Sequence, residues 1–206
     1  MTIRKTDVEI LRIEEYKKNR ELVYLEEGTP AFCLYTKEIR TFGLKEGAVL
    51  TDEQYQEIIS VLCKRARERS LYLLEDMART EQQVRRKLRE GYYPEEAVDF
   101  AISYCKDKHY IDDDDYTRRF IQSRSDKLSK RMIQSKLFEK GIPKEIIEAA
   151  FEESDIFEEE AIRKIVAKKN VDTELLDAAG RQKLIRSLLG KGFSYDAIKN
   201  VISASE

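Results

Sequence analysis

The chain has 206 residues, enough for one or two domains with a real hydrophobic core, and 38 Lys and Arg against 40 Asp and Glu leave a net charge of −2. With 38% charged and 41% hydrophobic residues, 8 Gly, 3 Pro and no Trp, the composition is closer to a helix-rich globular protein than to a sandwich, collagen or disordered chain. No window approaches 18 consecutive apolar residues and residues 1–15 lack the apolar stretch of a signal peptide, so a cytoplasmic protein with no membrane partner is expected.

The first 50 residues are β-prone. Leu22-Val23-Tyr24-Leu25 and Ala31-Phe32-Cys33-Leu34-Tyr35, separated by the turn sequence Glu26-Glu27-Gly28-Thr29-Pro30, predict a hairpin. Val8, Ile10 and Ile13 supply a candidate third strand, which makes 1–50 a small antiparallel β domain. Thr51 followed by Gln54 has the spacing of a capping box and marks a helix start.

From Thr51 onward the chain carries no strand signal and repeats itself. Val84, Leu88, Val98 and Ile102 share their spacing with Ile133, Leu137, Ile147 and Phe151, and with Leu184, Leu188, Ile198 and Ile202. In each set the two pairs sit one turn apart on successive helices. Pro94, Pro143 and Ser194 suit the start or cap of the second helix, and Gly91, Gly141 and Gly192 lie where the first should stop. Leu71, Phe120 and Ile165 sit in helical stretches that precede each pair, so the unit is three helices. The predicted class is mainly α, with 51–206 a helical repeat domain of three triplets at 51–106, 112–153 and 157–204 and a looser linker near Asn170 to Gly180. An elongated array is expected from stacking of such units.

Charge is distributed in blocks. From Thr117 to Lys144 nine basic residues face only Asp126 and Glu139, a balance of +7; from Glu145 to Glu160 there are eight acidic residues and no base. Arg118, Arg119, Arg124, Lys127, Lys130 and Arg131 are the candidate partner-binding residues, because clustered cations create an attractive field for a polyanion or an acidic protein surface. A solvated helix face is the alternative reading of the same run. Asp112 to Asp115 lack the Gly and distal Glu of a calcium loop and fit a helix N-terminus better. Tyr92, Tyr93, Tyr104, Tyr110 and Tyr116 are either stacking platforms for bases or the rim of helical cores.

No enzymatic constellation is present. Phosphate-binding glycine loops and a nucleophile elbow are missing, His109 stands alone, and Cys33, Cys63 and Cys105 are too far apart for a metal-ligand spacing. No cofactor is expected, and reduced thiols are.

The run Arg79-Thr80-Glu81-Gln82-Gln83-Val84-Arg85-Arg86-Lys87-Leu88, then Tyr110-Ile111-Asp112-Asp113 with Tyr116, Arg119-Phe120-Ile121 and Arg124, then Lys136-Leu137 and Lys140-Gly141-Ile142, resembles the RecX family of bacterial recombinase regulators. The N-terminal hairpin and the Gly43-Leu44-Lys45-Glu46-Gly47 loop are similar to the extension of its longer members. His109 and Ser129 stand where that family usually has Gly. The resemblance implies a non-enzymatic, cytoplasmic protein of tandem three-helix repeats that binds the RecA recombinase, lies along the groove of its nucleoprotein filament and modulates ATP hydrolysis and strand exchange, with inhibition the expected direction; on this reading the basic block is expected to face the filament or its DNA. A monomer is expected. Direct binding of single- or double-stranded DNA or RNA, or service as a scaffold for another protein, are the other readings.

Overall fold

The computed structural model describes residues 7–154, 158–169 and 175–203. β2 (Arg12–Lys17), β3 (Arg20–Tyr24) and β4 (Phe32–Tyr35) form an antiparallel sheet in that order, while β1 (Val8–Glu9) pairs separately with β5 (Val49–Leu50). The expected hairpin is β3–β4. The expected third strand exists but breaks after Glu9, so Val8 joins one ladder and Ile13 the other. A short helix α1 (Thr36–Thr41) follows β4 and carries no strong periodic signal; its only buried residue is Ile39.

Alternation sends Val23, Phe32 and Leu34 to one face of the sheet, where they are essentially inaccessible to solvent. That face does not close on itself. Its core continues into Ile58, Leu62, Val84, Leu88, Val98 and Ile102 of the first triplet, and residues 1–111 make one compact unit.

The first triplet is α2 (Asp52–Glu75), α3 (Glu81–Arg89) and α4 (Glu95–Asp107). The Thr51 Oγ1 accepts from the Gln54 amide at 3.3 Å while the Thr51 amide donates to Gln54 Oε1 at 3.2 Å, the predicted capping box; Thr80 and Gln83 repeat it at 3.2 and 3.1 Å. Glu81 locks α3 to α4. Burial alone would raise its carboxyl, but hydrogen bonds from Lys106 and Arg85 hold it below the usual carboxylate range.

The second compact unit, residues 112–206, contains α5 (Asp113–Arg124), α6 (Lys130–Glu139) and α7 (Lys144–Glu152), then α8 (Glu158–Lys168), α9 (Ala178–Leu189) and α10 (Tyr195–Ser203). Each triplet keeps its own small core. The two are tied where the Ser129 amide donates to the Lys191 carbonyl at 3.1 Å and where Lys164 reaches Asp126 at 2.9 Å. Part of the expected linker, residues 170–174, lies outside the described residues; Gly180 is within α9, its amide bound to the Asp177 cap at 2.7 Å. All twelve repeat-defining apolar residues are buried.

One expectation changes in detail. The middle helices stop on a left-handed residue, and the equivalent positions are Gly141, Gly192 and Tyr92, not Gly91. The next residue in each case, Tyr93, Ile142 or Phe193, donates its amide back to the carbonyl of Leu88, Leu137 or Leu188 at 3.2–3.4 Å. A Cβ on Gly192, at φ +89°, meets Ser129 Oγ at 2.5 Å, whereas at Gly190 the nearest atom is a carbonyl oxygen at 3.4 Å. Gly192→Ala therefore lowers stability by about 1–3 kcal/mol, combining left-handed strain with the close approach. Gly190→Ala is neutral or stabilising by about 0.5 kcal/mol. Urea unfolding followed by circular dichroism distinguishes the two signs.

Candidate partner-binding surface

The basic block is built on two helix ends. Asp112 caps α5, its carboxylate accepting from the Asp115 amide at 2.8 Å, and Asp113, Asp114 and Asp115 fill the first turn, which settles the acidic run as capping. Arg118, Arg119 and Arg124 follow on α5; Lys127 lies in the connection; Lys130 and Arg131 open α6 after the buried cap Ser129. All six candidate side chains are exposed.

Their arrangement is a fan, not a stripe. At 3.6 residues per turn Arg118, Arg119 and Arg124 are spaced roughly 100–140° apart around α5, with Arg124 on the side of the buried Thr117 and Ile121. Arg124 lies 5.7 Å from the Phe120 ring centroid, and Lys140 joins it there at 5.6 Å, beside the stacked Tyr116–Phe120 pair. Lys130 sits 5.0 Å from the Phe151 ring. Arg131 shares the outer face of α6 with Phe138, which is 70% exposed, the most exposed aromatic of the described residues. The six candidates leave out Lys140, which the basic run contains, and Phe138, which the sequence reading missed. Phe138 follows the repeat residue Leu137 and has Arg89 and Leu189 as its equivalents, so its outward place was readable from the register.

Electrostatic compensation separates this block from α3 and α4 of the first triplet. In the first triplet Arg85 binds Glu81 at 2.8 Å and Asp99 at 2.6 Å, Lys87 binds Glu90 at 2.6 Å and Arg89 binds Glu95 at 2.7 Å. In the basic block Arg119 pairs with Asp115 at 2.9 Å, but Arg118, Arg124, Lys127, Lys130 and Arg131 meet no carboxylate at ion-pair distance among the described residues. Lys130 and Arg131 also stand in the first turn of α6, which holds no acidic residue, so they oppose the helix macrodipole. Such uncompensated cations raise the local potential and are available to an anionic partner. The neighbouring acidic block is compensated in part: Glu148 pairs with Lys144, Glu159 with Arg163 and Glu160 with Lys164, and Glu158 to Glu160 form the first turn of α8. Asp155 lies outside the described residues.

The other singled-out residues are structural. Tyr92 and Tyr93 are half-buried, and Tyr116 stacks on Phe120; Tyr110, at 53%, is the exposed member of the tyrosine set. His109 ends α4 at φ 55°, in a position that suits Gly. Burial raises the thiols of Cys33, Cys63 and Cys105, and all three are free. Among the described residues no helix is long and apolar enough to cross a membrane.

Family models for the first, second and third three-helix domains of RecX match residues 66–105, 112–150 and 158–202, the same triplets as α2–α4, α5–α7 and α8–α10. Regulatory protein RecX of Clostridium botulinum (strain Alaska E43 / Type E3) is 32% identical over 204 residues, covering 94% of each chain. The chain belongs to the RecX family. Regulatory protein RecX of Caldanaerobacter subterraneus subsp. tengcongensis is 31% identical over 199 residues, 94% of this chain and 98% of that one. Among solved structures, a crystal structure of regulatory protein RecX aligns with a TM-score of 0.57 at 25% identity, covering 95% of this chain and 99% of that one. The crystal structure of RecX from Lactobacillus salivarius aligns at 0.56 over 71% of this chain and 97% of its own. Membership implies a regulatory role.

The unequal compensation predicts unequal mutational costs. Arg118→Glu, Lys127→Glu and Arg131→Glu, which break no ion pair, each change stability by no more than about 0.5 kcal/mol, the usual range for surface positions. Arg85→Glu, which leaves Glu81 and Asp99 facing a third carboxylate, costs more than about 1 kcal/mol. Thermal melts of the four variants check this ordering.

Proposed function

We propose that the chain regulates the RecA recombinase by binding its nucleoprotein filament as a cytoplasmic monomer, and that it inhibits ATP hydrolysis and strand exchange. The observation that carries the reading is the set of exposed cations without carboxylate partners on the second three-helix domain of a RecX-family chain. A filament of protein and DNA presents phosphate and acidic side chains along its length, and cations unpaired in the free protein need break no internal contact to meet them. The three triplets supply repeated, individually weak contacts, which add through effective concentration.

The test is the single-stranded-DNA-dependent ATPase of the recombinase, titrated with the wild-type chain and with the triple variant Arg118→Glu, Lys127→Glu, Arg131→Glu in moderate salt. The wild type lowers turnover, and the triple variant needs at least tenfold more protein for half the effect. Inhibition unchanged in a variant of intact helicity excludes this surface. No effect of the wild type at any ratio excludes the regulatory target.

A further inference from the structure

The face of the β2–β3–β4 sheet turned away from the shared core gathers cations and tyrosines. Directly opposed residues share a face, and the register pairs Arg12 with Tyr24, Glu14 with Leu22, Leu22 with Cys33, and Arg20 with both Lys17 and Tyr35. Tyr92 of the first triplet packs on it against Tyr16, beside the buried Leu22, Tyr24 and Cys33, and three of its tyrosine rings carry a cation. The Arg12 guanidinium lies 4.0 Å from the Tyr24 centroid, Lys17 4.6 Å from that of Tyr16, and Arg20 5.2 Å from that of Tyr35. Arg65 of α2 approaches Tyr35 at 4.5 Å, and the two arginines line a cleft at the sheet edge with Tyr93. Arg12 is matched by Glu14 and Arg65 by Glu38, but Lys17 and Arg20 meet no carboxylate among the described residues. Arg20 hydrogen-bonds Tyr35 Oη at 3.2 Å instead.

We infer that this sheet face binds single-stranded nucleic acid. Sequence-independent single-strand sites combine cations that follow the phosphates with flat π surfaces on which bases stack. Lys17 and Arg20, with Lys18 in the turn between them, supply the first; Tyr35, which is 37% exposed, and the open faces of the Arg12 and Arg20 guanidinium planes supply the second. A duplex hides its base faces within the stack and cannot use the rings, so the preference is for the single strand. An acidic protein segment would use the cations but gain nothing from Tyr35, which separates the two occupants by experiment. The inference is independent of the recombinase reading, since the surface lies on a different unit from the basic block and its test contains no recombinase.

The experiment is fluorescence anisotropy of a labelled 20-nucleotide oligothymidylate titrated with the full chain at several salt concentrations. The wild type binds, and a duplex of the same length binds more weakly. The Lys17→Ala, Arg20→Ala double variant weakens binding at least tenfold at low salt and makes the logarithmic salt slope shallower by about 1.4, the loss of two phosphate contacts to a single strand. Tyr35→Ala weakens binding at least fivefold, about the least that loss of one base stack costs, with the salt slope unchanged, and Tyr35→Phe restores it. Failure of the wild type to bind, equal affinity for the duplex, or unchanged affinity in the double variant with intact circular dichroism overturns the inference. So does Tyr35→Ala binding like wild type while polyglutamate competes, which assigns the face to an acidic protein.

Discussion

The carbonyl oxygens of Leu88, Leu137 and Leu188 hold the architecture together. Each accepts a hydrogen bond from the residue five positions later, across a left-handed turn, and so ends the middle helix of a triplet while returning the chain toward the core. The donor residue is apolar or aromatic in every case, and Ile142 and Phe193 are almost wholly buried. Chain reversal and core packing are thereby the same event. The third helix enters at the angle this turn allows, and Val98, Ile147 and Ile198 meet the pairs that precede them.

Where the left-handed residue is Gly the turn is free of side-chain strain; in the first triplet it is Tyr92, at φ 58°. A tyrosine holds that conformation only with support. The Tyr92 carbonyl accepts the Cys33 amide of β4 at 3.2 Å, and its ring meets Tyr16 edge-on with centroids 5.1 Å apart. The strained residue is thus the one that fastens the first triplet to the second face of the sheet. At the corresponding place in the third triplet Gly192 is pressed against Ser129, so one turn serves as an attachment point to different neighbours: sheet in one case, adjacent triplet in the other.

Charge follows a second logic laid over this frame. In the first triplet the cations of α3 and α4 are spent on neighbouring carboxylates and stiffen the helix pair. In the second, exposed cations are left unmatched, and two of them stand against the dipole of α6. Cations in the first turn of a helix are locally unfavourable, and such breaches of local helix rules are expected where a surface serves something other than stability.

The triplets and their buried residues were legible in the sequence because a helix pair whose apolar spacing recurs three times leaves few other ways to bury those side chains. The capping boxes at Thr51 and the acidic cap at Asp112 were legible for the same local reason: a cap involves residues within one turn. The basic block was legible as composition but not as geometry, since whether a lysine finds a carboxylate depends on which helix packs beside it. The fan of Arg118, Arg119 and Arg124, the pairing of Lys140 with Phe120 and the exposure of Phe138 were decided by tertiary packing. So was the merging of the sheet with the first triplet: alternation in β3 and β4 announced an apolar face, and only the fold determined that α2, α3 and α4 would cover it. Short-range hydrogen bonding and periodicity are written in neighbouring residues; partners distant in sequence are chosen by the competition of whole surfaces for burial.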